Sequence, residues 1–279
     1  MPGGTGKSEV LWFANRGVTP VNPSLEARSF LEEIQTGGKV EAGDWMPEEY
    51  RRIVIDLAWR FADSELSAAY AFLPWILKAP TLPVKARVAR MIEEEIEHAR
   101  VFYRCLKELG VDVRTRMRDW DAAYRQLENG KSFGLLRAGL AGEFAFLYYP
   151  IRDWTDFLMA NFCVEGASRH LLEDGDRCSY GPLGRAMRRV LKDEIGHAGH
   201  GDAGVRRMAR TREGGSRLQK ALDQWFPRAF DLFGSPDSPR HKTFQKWRLK
   251  TRDNAELIES FYGEMRKKTR SLGLVVPEC

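Results

Sequence analysis

Five histidines and four cysteines in 279 residues leave few imidazole or thiol groups for chemistry. Cys105, Cys163, Cys178 and Cys279 are scattered, with no Cys-x-x-Cys pair. That excludes a zinc ribbon and a disulfide framework and leaves free thiols of a reducing cytoplasm as the expectation. No apolar run approaches the ~20 residues of a membrane helix. Residues 1–16 lack the basic start and long apolar core of a secretory signal, so the expected location is the cytoplasm, with no membrane partner. A dominant charge is missing too: 44 Lys+Arg stand against 39 Asp+Glu, a net of +5. The positive groups are interspersed, and Arg185, Arg188, Arg189 and Lys192 are spaced like the solvated face of a helix. No nucleic-acid partner is expected from such a balance. Alternating β-branched runs are scarce, which argues against a sheet.

The hydrophobic share of 43% is enough for a sizeable core, and the length suits one large domain. Gly3-Gly4-Thr5-Gly6-Lys7-Ser8 looks like the end of a phosphate-binding loop. The required first glycine falls at Met1, with no strand before it. Residues 1–22 are expected to be a flexible tail, and 23–279 a single domain whose C-terminal helical extension begins near 215.

Helical periodicity is strong. A short helix is expected from Ser24 to about Thr36. Long helices are expected over Glu48–Lys78, Val84–Leu109, Phe133–Leu172 (broken near Pro150) and Leu183–Thr211. A shorter helical segment is expected within 111–131, ending at Asn129-Gly130. Further helices are expected over 216–233, disturbed by Pro227, and over Asn254–Ser271. Gly234 to Pro239 reads as a loop. The expected architecture is an all-α four-helix bundle with added N- and C-terminal helices.

Each long helix carries an apolar stripe with spacings of three and four, so its residues share one face. In the first the stripe is Val54, Ala58, Phe61, Glu65, Ala68, Phe72, Trp75. In the second it is Val84, Val88, Met91, Glu95, His98, Phe102, Cys105. In the third it is Ile151, Trp154, Leu158, Asn161, Glu165, Ser168, Leu172. In the fourth it is Leu183, Met187, Val190, Glu194, His197, Gly201. Every stripe therefore holds a carboxylate at mid-helix, and two hold a histidine. A bare carboxylate in an apolar core costs several kcal/mol or is forced to protonate. Four that converge repel one another as well. Two cations remove both penalties, and carboxylate with imidazole suits iron, with manganese as the other candidate.

The order Glu, Glu-x-x-His, Glu, Glu-x-x-His is the ferritin-like di-iron pattern. Glu65 precedes Glu95 by 30 residues and Glu165 precedes Glu194 by 29, as two hairpins of similar size require. The candidate metal ligands, and the catalytic set, are Glu65, Glu95, His98, Glu165, Glu194 and His197. Asp193 competes with Glu194, but the i,i+3 step to His197 selects Glu194. Glu93, Glu94 and Glu97 read as the rest of a Glu run. His200 is expected to be structural, and His170 and His241 to be surface groups. Glu143 is expected to make a loop or partner contact.

Other segments carry a family likeness: 44–51 (Asp-Trp-Met-Pro-Glu-Glu-Tyr-Arg), Lys78-Ala79-Pro80-Thr81-Leu82, and Arg177-Cys178-Ser179-Tyr180-Gly181-Pro182 followed by Arg185-Ala186-Met187. Trp225-Phe226-Pro227, Phe233-Gly234, Lys246-Trp247, Leu249-Lys250 and 272–277 (Leu-Gly-Leu-Val-Val-Pro) continue it. Over about residues 40–279 the sequence resembles the catalytic A subunits of the bacterial phenylacetyl-CoA 1,2-epoxidases, multicomponent ferritin-like oxygenases. The resemblance implies Glu65 and Glu165 as terminal carboxylates, Glu95 and Glu194 as bridges, and His98 and His197 on one iron each. It implies use of O2, insertion of oxygen into the aromatic ring of an acyl-CoA, electrons from a flavin and [2Fe–2S] reductase, and a structural sister subunit or a homo-oligomer. Lys107, Arg114 and Arg116 are candidates for the CoA phosphates. Two departures stand out. Glu165 occupies a position where that family carries Asp, and 111–150 is longer, with an added segment from Leu135 to Tyr149.

Overall fold

The computed structural model describes residues 25–115, 117–118 and 149–278. The expectations for residues 1–22, for Asn129-Gly130, for the third helical region up to 148, and for Glu143 and Arg116 lie outside the described residues.

Among the described residues the fold is all helical. An isolated parallel bridge between Val40 and Tyr180 is the one β-type pairing there. The helices are α1 (Leu25–Gln35), α2 (Glu48–Phe72), α3 (Trp75–Lys78), α4 (Leu82–Glu108), α5 (Trp154–Ala160), α6 (Gly166–Leu172), α7 (Gly181–Met208), α8 (Arg212–Ala229), α9 (Pro239–Lys246) and α10 (Asn254–Arg270). A π-helical turn, Asn161–Glu165, joins α5 to α6. Helix α2, helix α4, the α5–π–α6 rod and helix α7 form the four-helix bundle, with α1 at one side and α8–α10 as the C-terminal extension.

The ends follow from local chemistry. Helix α2 opens after Pro47 with Glu48 and Glu49 in its first turn, where the helix dipole favours negative charge. The single helix expected over Glu48–Lys78 is two: α2 stops at Phe72 and the one turn of α3 follows. Pro74 has no N–H to donate and its ring crowds the carbonyl four residues back. Gly110, at φ +77°, ends α4 as a left-handed cap. Beyond the expected break near Pro150, the third helical region resumes at Trp154, where Asp153 accepts from the Asp156 amide at 2.9 Å and caps it. Pro227 disturbs α8 less than expected; the helix runs through it to Ala229. Helix α9 was not expected. Its start is Ser238-Pro239, an N-cap whose hydroxyl accepts from the His241 amide, followed by Pro at the first helical position.

Two clusters form most of the core. One joins α1, α2, the end of α4, the start of α7 and the α9–α10 link at Trp247 and Leu249. The other wraps α8 and α10 around α5, the π-turn and α6, with Phe226 stacked on Phe261 at 5.7 Å.

The Arg177-to-Pro182 motif ties these parts together. Val40 donates to the Ser179 carbonyl at 2.8 Å and accepts from Gly181 at 2.9 Å. The buried Ser179 hydroxyl donates to the Trp247 carbonyl at 2.6 Å and lies 2.9 Å from the Tyr50 hydroxyl. One side chain thus links α2, the turn before α7 and the C-terminal extension. Ser179→Ala leaves a buried carbonyl and phenol short of partners, a loss of about 1–3 kcal/mol. Chemical denaturation should show it as a lower midpoint with an unchanged slope.

Candidate metal centre

All six sequence-predicted residues meet in the bundle. Glu65 comes from α2, Glu95 and His98 from α4, Glu165 from the last position of the π-turn, and Glu194 and His197 from α7. Each is buried, at 7% exposure or less. The donors fall into two sets, Glu65, Glu95, His98 and Glu194, and Glu95, Glu165, Glu194 and His197, with ligand atoms within 4.8 Å of one another in each. Glu95 and Glu194 belong to both.

The imidazoles test whether a cation fits. His98 Nε2 meets Asp193 Oδ2 at 3.1 Å, and His197 Nε2 meets Glu94 Oε2 at 2.9 Å. A carboxylate at Nε2 keeps the proton there and leaves Nδ1 a lone pair. Yet His98 Nδ1 faces Glu65, Glu95 and Glu194 oxygens at 3.3–3.7 Å, and His197 Nδ1 faces Glu95 and Glu194 oxygens at 3.1 and 3.6 Å. Acceptor faces acceptor unless a cation lies between them. Both Nδ1 atoms, Glu95 Oε1 and Glu194 Oε2 are buried without a hydrogen-bond partner. Ligand atoms sharing one small divalent ion at ~2.1 Å lie about 3 Å apart. Four carboxylates and two neutral imidazoles carry −4, which two divalent ions cancel. The residues fit a pair of metal ions.

The metal-free electrostatics show the same need. Burial drives the Glu65 and Glu165 carboxyls well above their usual range, and the neighbouring carboxylates add to it. Burial also pushes Glu95 and Glu194 up, but the His197 and His98 imidazoles facing them outweigh it and hold both low. Burial opposes charge on the two imidazoles, and their carboxylate partners override it and raise them.

A family whose sequence model is described as phenylacetic acid catabolic protein matches residues 25–279. The chain belongs to this family. It is 28% identical over 256 residues, 89% of this chain and 76% of the relative, to the A subunit of the 1,2-phenylacetyl-CoA epoxidase of Escherichia coli (strain K12). A phenylacetic acid catabolic protein with this cluster needs a precise third helix, and the π-turn supplies it. Every residue from Thr155 to Ala167 is buried, so the rod is enclosed on all sides. Asn161 donates to the Phe157 carbonyl at 2.7 Å within the turn. Gly201 of α7 lets the backbones close. A Cβ there would lie 2.6 Å from Phe162 N and 3.0 Å from Asn161 C, and backbone cannot give way. Gly201→Ala should therefore cost about 1–3 kcal/mol as overpacking and lower the metal content by displacing Glu165. Thermal melting and metal analysis check the two parts.

Two carboxylates outside the six expected ligands belong here. Glu94, read from sequence as part of a Glu run, holds His197; Asp193, read as a rival of Glu194, holds His98. A signal was present: each shared Glu is preceded by an acidic residue, as Glu94-Glu95 and Asp193-Glu194. His170 and His241 are corrected from surface to buried, at 5% and 3% exposure. His170 is covered by α10, where Glu264 meets its Nε2 at 3.1 Å, and His241 lines a pocket together with Leu57 and Phe61 of α2. His200 is half-buried, and its pKa falls to about 4 through burial and the nearby Arg87. Lys107 and Arg114 are exposed. Cys105, Cys163 and Cys178 are free and buried, and burial raises all three thiols, Cys105 and Cys178 to about 12. No described helix is long and apolar enough to cross a membrane.

Proposed function

We propose that this chain is a di-iron, O2-dependent monooxygenase that epoxidises or hydroxylates the aromatic ring of an acyl-CoA such as phenylacetyl-CoA. The observation that carries the reading is the pair of donor sets sharing Glu95 and Glu194 in a buried core. Family membership and the likeness to an epoxidase component support the substrate class. Glu65 and His98 would hold one iron, Glu165 and His197 the other, and Glu95 and Glu194 both; manganese suits the same donors. Bound iron would supply the redox chemistry of oxygen activation. The chain's part is to keep six donors in place, to fix each imidazole through Glu94 and Asp193, and to exclude water with the apolar stripes around them.

Residues 23–279 act as one domain in this reading, in the cytoplasm. Electrons come from an external flavin and [2Fe–2S] reductase, and a sister subunit or a second copy docks beside the chain. The alternatives are a di-iron oxygenase of the same scaffold acting on a metabolite without CoA, and a non-catalytic iron-handling or structural subunit. The purified protein, supplied with a surrogate electron donor, should carry about two irons per chain. It should consume O2 only with an aromatic thioester and yield a product heavier by one oxygen atom. Oxidation of free Fe2+ alone, with no thioester-dependent product, would overturn the proposal.

A further inference from the structure

A cavity lies along the bundle from the acidic cluster, between α2 and the C-terminal extension. Its volume is about 140 Å³. Leu57, Phe61, Leu171, Met187 and Phe244 form its apolar wall, and Arg60, Arg240, His241, Lys250 and Asn254 are its polar side. Phe61 stands one helical turn before Glu65, about 6 Å along the axis. Its ring stacks on Phe102 at 4.9 Å. Leu171 and Met187 are six and seven residues from Glu165 and Glu194, so the cavity occupies a level below the metal donors.

Two groups lining this cavity, His241 and Lys250, have donor capacity to spare. His241 is 3% exposed, and neither ring nitrogen has a hydrogen-bond partner. Its nearest carboxylate, Asp253 Oδ1, stands off at 4.0 Å and is engaged by the Ala255 amide. A buried imidazole left this way costs free energy that a ligand would recover. The Lys250 ammonium has three N–H donors and uses one on Asn254 Oδ1 at 3.2 Å. Burial lowers its pKa to about 8. Asp174, the buried carboxylate behind it, is already taken by the Thr251 amide and hydroxyl and the Arg252 amide. Asp56, which Arg60 binds at 3.0 Å, also lies 4.0 Å from Arg240. Asp231 sits on the exposed rim. Among the described residues, therefore, no carboxylate meets the spare donors of Lys250 and His241.

The volume of the whole cavity is about that of one known to hold a benzene ring. We propose that this cavity binds a small carboxylic acid with an apolar body the size of one aromatic ring. Its carboxylate accepts from Lys250 and His241, and its body lies against Phe61, Leu171 and Met187. The site is separate from the acidic cluster and does not rest on the function proposed above.

Benzoate is a suitable probe, with benzamide as its uncharged isostere. Calorimetric titration of the full chain, as purified and after metal removal, should show saturable benzoate binding in both states. Benzamide should bind at least about tenfold more weakly, and so should benzoate to Lys250→Met, while Lys250→Arg keeps most of the affinity. A photoreactive azidobenzoate should label peptides containing Phe61 or residues 231–250 in the unaltered protein, which decides the matter even if Lys250→Met fails to fold. No saturable binding, binding that vanishes with the metal, labelling elsewhere, or unchanged affinity in a folded Lys250→Met would overturn the proposal.

Discussion

Glu95→Ala is expected to empty both metal positions, whereas Glu65→Ala empties one. Glu95 belongs to both donor sets: its Oε1 lies 3.1 Å from His197 Nδ1 and its Oε2 3.7 Å from His98 Nδ1. Glu65 faces His98 alone among the imidazoles, at 3.4 Å. Losing Glu95 removes a donor from each set and one negative charge from the groups that balance the second cation. Two like cations cannot stay close without an anion between them. Metal analysis should fall from about two per chain to near zero for Glu95→Ala, and to about one for Glu65→Ala. Oxygenation should be lost in both, because a single ion cannot replace the pair. His197→Ala should resemble Glu65→Ala in metal content, with the other position emptied. Full turnover in Glu95→Ala or His197→Ala would show that the cluster is a buried ion-pair network and nothing more.

Five of the six cluster residues were legible because α2, α4 and α7 are amphipathic. A carboxylate on an otherwise apolar face stands out when the other faces are polar. Glu65, Glu95, His98, Glu194 and His197 all announce themselves this way. The third rod is different. It is enclosed from Thr155 to Ala167, so it has no polar face to set a period, and its π-turn left no trace in the spacing. The stripe puts Glu165 on the face that meets Glu95, Glu194 and His197, but Ser168, the next residue on it, is only half-buried while Ala167 and Leu171 are buried. The extra residue of the π-turn rotates the face. His170 and His241 were misread because burial is decided by distant chain: Glu264 lies 94 residues from His170. Polar neighbours in sequence say nothing about a helix that arrives from elsewhere. Ser179 illustrates the reverse case. Its motif was visible, but its work as a clasp emerges only when Tyr50 and Trp247 stand beside it.

Glu94→Ala and Asp193→Ala should weaken metal binding at opposite positions, and in a crossed sense. Glu94 is the chain neighbour of Glu95 on the helix that carries His98, yet it holds His197 of the other helix. Asp193 is the chain neighbour of Glu194, yet it holds His98. Each carboxylate makes its imidazole more basic and fixes which nitrogen faces the metal. Truncating such a partner costs about 10–100-fold in metal affinity. Glu94 should lie at the upper end. Its side chain is 19% exposed, and Arg90 at 3.1 Å and Arg87 at 3.6 Å hold it in place. Asp193 is 45% exposed, so water already competes for its oxygens and its loss should be nearer tenfold. Glu94→Gln keeps a hydrogen-bond acceptor without the charge and should fall between Glu94→Ala and the parent. Chelator competition resolves the two affinities, and Mössbauer spectra tell which iron environment has changed. A purely structural role would lower melting without separating the two irons. Equal weakening of both positions by Glu94→Ala would break the crossed assignment, because only His197 depends on that carboxylate.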